Sequence, residues 1–130
     1  MTKMIFLNLP VRDLQAATNF YLAIGGTLNP QFSNDQASSI MFSDSIGVML
    51  LTHQHYSQFT ARQKRDSQML IALTTDSRDE VNAIIEKGVA AGGRADPNPA
   101  QDLGFMFNRH IEDPDGNVWE FLWMNPSAMQ

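Results

Sequence analysis

Apolar residues recur along this chain at two spacings, and the switch between them marks the elements. Leu14, Ala17, Tyr21 and Ile24 fall at steps of three or four, which makes one apolar stripe of a helix. Asp13 stands where an N-cap accepts a backbone N–H, and Gly25-Gly26 ends the stripe. Val81, Ile84, Ile85 and Val89 form a second stripe. Ser77 and Glu80 precede it at capping-box spacing, and Gly92-Gly93 stops it. Elsewhere the apolar runs are short, as strands require. They predict strands over 5–9, 28–32, 39–42 and 47–51, then over 69–73, near Arg94, and over 105–111 and 118–124. Asp44 and Ser45 suit a turn. The polar stretch 53–64 reads as a loop with a short helix, and 96–104, with Pro97 and Pro99, as a loop beside a pocket mouth.

The order is β-α-β-β-β, twice. Two such copies can pack and close one core, so the chain reads as an α+β fold of two tandem βαβββ modules. The boundaries fall at 1–54 for the first module, 55–67 for a linker and 68–130 for the second.

Composition narrows the function classes. The 130 residues suit one domain, and 43% hydrophobic residues suffice for a core. A net charge of -5, with no run of Lys and Arg, argues against nucleic acid. The longest apolar runs are strand-sized, which argues against a membrane span. The N-terminus passes directly into a strand, leaving no room for a signal peptide. There are no cysteines, so disulfides, thiolate catalysis and Cys-type zinc sites are excluded. A cytoplasmic location is the expectation.

Several motifs are more specific. The opening 5–14 (Ile5-Phe6-Leu7-Asn8-Leu9-Pro10-Val11-Arg12-Asp13-Leu14), followed by Phe20-Tyr21 and Gly25-Gly26, resembles the first motif of the vicinal-oxygen-chelate superfamily of glyoxalases, bleomycin-resistance proteins and dioxygenases. The turn Asp113-Pro114-Asp115-Gly116-Asn117 with Glu120 after it resembles the last. The stretch 48–53, Gln58-Phe59-Thr60 and the ending Trp123-Met124-Asn125-Pro126 resemble a bacterial subgroup labelled predicted lactoylglutathione lyase. The resemblance implies curled mixed sheets around a concave cavity, a homodimer and a small-molecule ligand. It also implies four metal positions, one from each matching strand: Phe6, Leu50, Leu70 and Glu120. Only Glu120 carries a donor there. One carboxylate does not hold a transition metal, which needs three or four N, O or S ligands at about 2.0–2.3 Å. The expectation is therefore no metal and no cofactor, with Phe6, Leu50 and Leu70 lining an apolar site.

In 118–123, alternation puts Glu120 on a face with Val118 and Leu122, opposite Trp119, Phe121 and Trp123. Both faces are apolar. A carboxylate so placed reads either as a general base or ligand acceptor, or as a structural group held by Arg109 or a hydroxyl. His110 is a second proton-transfer candidate, or a paired structural histidine. Asn8 shares a face with Phe6, and Thr74 with Leu70, so both are expected to be polar groups of the pocket, or to satisfy local backbone. Arg109 reads as an anion binder or a partner of a nearby carboxylate. His53 and His55 are spaced to share a strand face but lack a third ligand, and a surface role is the simpler reading. The acidic turn is not a calcium loop, because Val118 and Met124 stand where the glycine and glutamate of that loop belong.

Three functions follow: metal-independent small-molecule binding; a metal-free lyase or isomerase using Glu120 and His110; or a structural homodimer. A glyoxalase I-like lyase requires the ligand assignment to be wrong.

Overall fold

A computed structural model describes residues 2–60 and 69–129 of the chain. It divides into two units, Met1–Arg65 and Asp66–Gln130. The last part of the expected linker, 61–67, lies outside the described residues.

The first unit begins with β1 (Ile5–Val11) and α1 (Leu14–Ala23). Asp13 caps α1 by accepting the Ala16 N–H at 3.0 Å, as its position predicts. Gly25 follows the helix at φ +115°, a conformation closed to most side chains. After β2 (Thr27–Leu28) the chain departs from the expected strand over 28–32. Pro30 has no N–H to give a ladder, and Asn29 accepts the Gln31 N–H, so Pro30–Phe32 forms a single 3-10 turn instead. β3 (Ala37–Met41), β4 (Ile46–Thr52) and the short α2 (His53–Tyr56) complete the unit. The sheet order is β1-β4-β3-β2, with β1 parallel to β4 and the other pairs antiparallel.

α1 lies on one face of this sheet. Leu9, Val11, Ile40, Val48 and Leu50 are buried there with Phe20, Tyr21 and Ile24 of the helix segment. Thr18 and Ser38 share a hydrogen bond at 2.7 Å across this interface, so neither hydroxyl is orphaned. The opposite face, carrying Phe6, Asn8, Met41 and Met49, is more open.

The second unit repeats the plan with β5 (Leu70–Thr74), α3 (Arg78–Ala90), β6 (Arg94–Ala95), β7 (Gln101–Asp102), β8 (Met106–Glu112) and β9 (Val118–Met124). Its order is β5-β9-β8-β6, with β7 also paired to β8. β7 lies inside the segment expected to be a loop; the Asn108 side chain accepts the Gln101 N–H and pins it beside β8. α3 packs on β8 and β9, where Val81, Ile85, Ile111, Trp119 and Phe121 are buried. The β8–β9 hairpin closes on Asp113. Its Oδ1 accepts the N–H groups of Asp115 and Asn117, each at 2.8 Å, and its Oδ2 accepts the Asn117 side-chain amide. Gly116 takes the positive φ of that turn.

The fold is thus α+β, with two open mixed sheets of four and five strands. Among the described residues no helix is long and apolar enough to cross a membrane.

Candidate functional site

The face of the second sheet away from α3 is set by register. Glu120 on β9 stands directly across from His110 on β8 and Ala72 on β5. Asn108 lies two residues before His110 on the same face. Its Nδ2 donates to Glu120 Oε1 at 2.9 Å. Its Oδ1 is held by the Gln101 N–H at 3.0 Å, which fixes which end of the amide points to Glu120. One carboxylate oxygen is therefore anchored, and the other has no hydrogen bond among the described residues. Glu120 is half-buried, Asn108 and His110 buried. His110 Nδ1 is fully covered and has no hydrogen-bond partner among the described residues.

Asn108 is the residue that sequence reasoning missed as Glu120's partner. The signal was present: counting back from the Asp113–Asn117 turn gives the hairpin register and puts Asn108 diagonal to Glu120. Arg109 does not hold Glu120. It points to the other face, where its guanidinium pairs with Asp96 at 2.8 Å and donates to Asn82 Oδ1 at 3.0 Å. The hydrogen bond to Asp96 raises its pKa further. Arg109 is a clasp between β8, α3 and the segment after β6.

Leu70, Ala72 and Thr74 share Glu120's face, exposed on β5. In the first unit Phe6 is 43% exposed and Asn8 donates weakly to the Phe6 carbonyl at 3.5 Å. Leu50 does not join them. Phe6 pairs with Gly47 in a parallel register, so Leu50, three residues on, falls on the opposite face, where it is 0% exposed under α1. Met49, paired with Asn8, takes the place on Phe6's face that Leu50 was expected to fill. His53 and His55 lie in α2; His55 stacks edge-on to Phe59 at 5.1 Å, a packing role.

Phe6 and Met49 open onto a cavity of about 620 Å³. Met4, Phe32 and Met41 supply the rest of its apolar wall; Asn29, Ser39, Ser43 and Asp44 supply the polar groups. Gly47 leaves it room: a methyl group there would stand 2.8 Å from Met41 Sδ and 2.9 Å from Phe6 Cδ1. The remaining liners were invisible to sequence reasoning because they come from separated segments.

The donor set does not fit a divalent transition metal. Phe6, Leu70 and Ala72 face the sites with hydrocarbon, and no group of three His, Cys, Asp or Glu among the described residues is placed to share an ion. Glu120 with His110 falls short of the three or four donors that such an ion needs.

The model of a family described as the Glyoxalase/Bleomycin resistance protein/Dioxygenase superfamily matches residues 3–121. Hypothetical protein SA1046 from S. aureus is 24% identical, with a TM-score of 0.78 over 95% of this chain and 94% of that one. A glyoxalase-related enzyme from Fulvimarina pelagi is 25% identical, with a TM-score of 0.78 over 95% and 88%. The fosfomycin resistance protein FosX from Mesorhizobium loti is 13% identical, with a TM-score of 0.70 over 99% and 98%. None of the curated proteins matches this chain.

Proposed function

The chain belongs to the Glyoxalase/Bleomycin resistance protein/Dioxygenase superfamily, and from that premise we propose that it is a metal-independent small-molecule-binding protein. The observation that carries this reading is the cavity of about 620 Å³ beside Phe6. That volume is in the range of small-molecule sites, and the wall is mostly apolar with a few polar groups, the usual composition of such a site. Cysteine-free composition suits a cytoplasmic protein, and the family likeness suits a homodimer.

The test uses protein labelled at its methionine methyl groups and titrated with 2-naphthylmethanol. The methyl resonances of Met4, Met41 and Met49 are expected to shift together, saturably, and to stop responding in Phe6→Ala. If they stay silent while the protein is folded, the cavity is not a binding site.

A second reading is a metal-free lyase or isomerase. It is favoured by the cross-strand pair of Glu120, with one carboxylate oxygen anchored and one free, and His110, whose Nδ1 lacks a partner among the described residues. Glu120 would serve as general base and His110 as proton carrier. This reading expects catalysed wash-in of solvent deuterium into α-hydroxyketones, abolished by Glu120→Gln with binding retained. A glyoxalase I-like lyase, the predicted lactoylglutathione lyase of the sequence resemblance, is the remaining alternative and demands metal donors that these faces lack.

A further inference from the structure

The cavity beside Phe6 has an uneven chemistry that points to the class of its ligand, an inference that rests on the binding function proposed above. Five of its liners, Met4, Phe6, Phe32, Met41 and Met49, present thioether, methyl and aromatic surface. Such a wall accepts a flat or bulky apolar body, and methionine adapts its shape to it. Asp44 is the one charged residue among the liners, and it is an acid.

The placement of Asp44 is built. It sits at the tip of the β3–β4 hairpin, where Ser43 Oγ accepts the N–H groups of both Ser45 and Ile46 at 3.2 Å. The Phe42 N–H closes the turn on the Ile46 carbonyl at 2.9 Å. These bonds hold the turn without using the Asp44 carboxylate, which has no ion pair and no hydrogen bond among the described residues. An acid left free at a pocket mouth stabilises a cation and repels an anion. The overall charge of -5 acts in the same direction.

Ser39 supplies an independent observation. It lines the same cavity, it is only 2% exposed, and its hydroxyl makes no hydrogen bond among the described residues. Among the described residues the fully covered side-chain polar atoms left unpaired are His55 Nδ1 and His110 Nδ1, not Ser39 Oγ, so this hydroxyl is a donor and acceptor at the cavity wall rather than a buried orphan. A polar atom of a ligand would pair it.

We propose that this cavity binds a hydrophobic amine: an aromatic or alicyclic body held by the Phe6, Met41 and Met49 wall, with one protonated nitrogen directed to Asp44 and a hydrogen bond to Ser39. Carboxylates, phosphates and other anionic metabolites are the class it rejects.

The test is isothermal titration with three matched probes at low ionic strength: 2-naphthylmethylamine, 2-naphthylmethanol and 2-naphthylacetate. They share a ring and differ in charge. The amine is expected to bind about fivefold more tightly than the alcohol, the size of effect that an ion pair with an exposed carboxylate gives at its upper end. The acetate is expected to bind more weakly than both. Asp44→Asn is expected to remove the amine's advantage and leave the alcohol unchanged; the side chain is exposed and outside the turn's hydrogen bonds, so the variant keeps its fold. If the alcohol binds but the amine gains nothing over it, or if Asp44→Asn leaves the amine unchanged, the inference on ligand class fails while the binding function stands. If none of the three binds and the methionine methyl groups are silent, both fail.

Discussion

A carboxylate set into a sheet needs a donor, and Asn108 provides it from the neighbouring strand. Because Asn108 also holds the Gln101 N–H, replacing it by alanine leaves two polar groups short of a partner. Asn108→Ala is expected to destabilise the protein by about 1–3 kcal/mol, read from the urea midpoint. Asn108→Asp is expected to cost more at neutral pH and to recover on acidification, since two adjacent carboxyls favour taking up one proton. Asp102 carries a different pH signature. Its hydrogen bond to Arg78 lowers its pKa from the ordinary 3.8 to about 2. The stabilisation this gives is complete above the ordinary carboxyl range and disappears as the pH falls through about 2. Asp102→Asn is therefore expected to lower the thermal midpoint at pH 7, with the gap to wild type narrowing below about pH 4. Both groups of this pair are solvent-facing, so the effect is small. Glu120 itself was legible because a lone acid stands out in an apolar strand. Leu50 was placed by resemblance to the family's second metal strand, and 48–51, apolar throughout, offers no alternation against which to check that register.

At the scale of elements, the two helices were readable because their boundaries are chemical. Ser77 accepts the Glu80 N–H at 3.0 Å, and Glu80 reaches back to the Asp76 N–H at 2.8 Å. Ser77→Ala is expected to cost about 1 kcal/mol, measured by thermal or urea unfolding, with the ladder of β8 and β9 unaffected. Arg78, the first residue of α3, then ties the helix start to the sheet. It lies 5.4 Å from the Phe107 ring centroid and 5.1 Å from that of Trp123, while its guanidinium holds Asp102 and the Gly104 carbonyl. Such a clasp joins residues far apart in sequence and leaves no periodic trace. The short strands were harder to read for a related reason. Thr27–Leu28, Arg94–Ala95 and Gln101–Asp102 are each two residues long, too brief to show alternation, and exist because a longer neighbour offers them an edge.

At the scale of the whole chain, the repeated β-α-β-β-β order made the fold class accessible, since each copy must bury one helix stripe on one sheet face. The chemistry of the open faces is less regular than the backbone. One carries Glu120 and His110, the other Phe6 and Met49. The donor set leads to a direct expectation: excess Zn²⁺, Mn²⁺ or Ni²⁺ shifts the melting temperature by no more than the same ionic strength of Mg²⁺ does, and elemental analysis finds no stoichiometric transition metal. A tightly held ion would refute the assignment of these faces. The cavity itself was not legible, because Asn29, Phe32, Ser39 and Asp44 meet only after the 3-10 turn and the β3–β4 hairpin have formed. Two of its lining side chains, Met41 and Phe6, rest against the bare α-carbon of Gly47. A one-base codon change to alanine would set a methyl group against Met41 and Phe6, and those two side chains would have to give way for it. Drift at this single position would therefore recast the wall of the cavity from the strand beneath it.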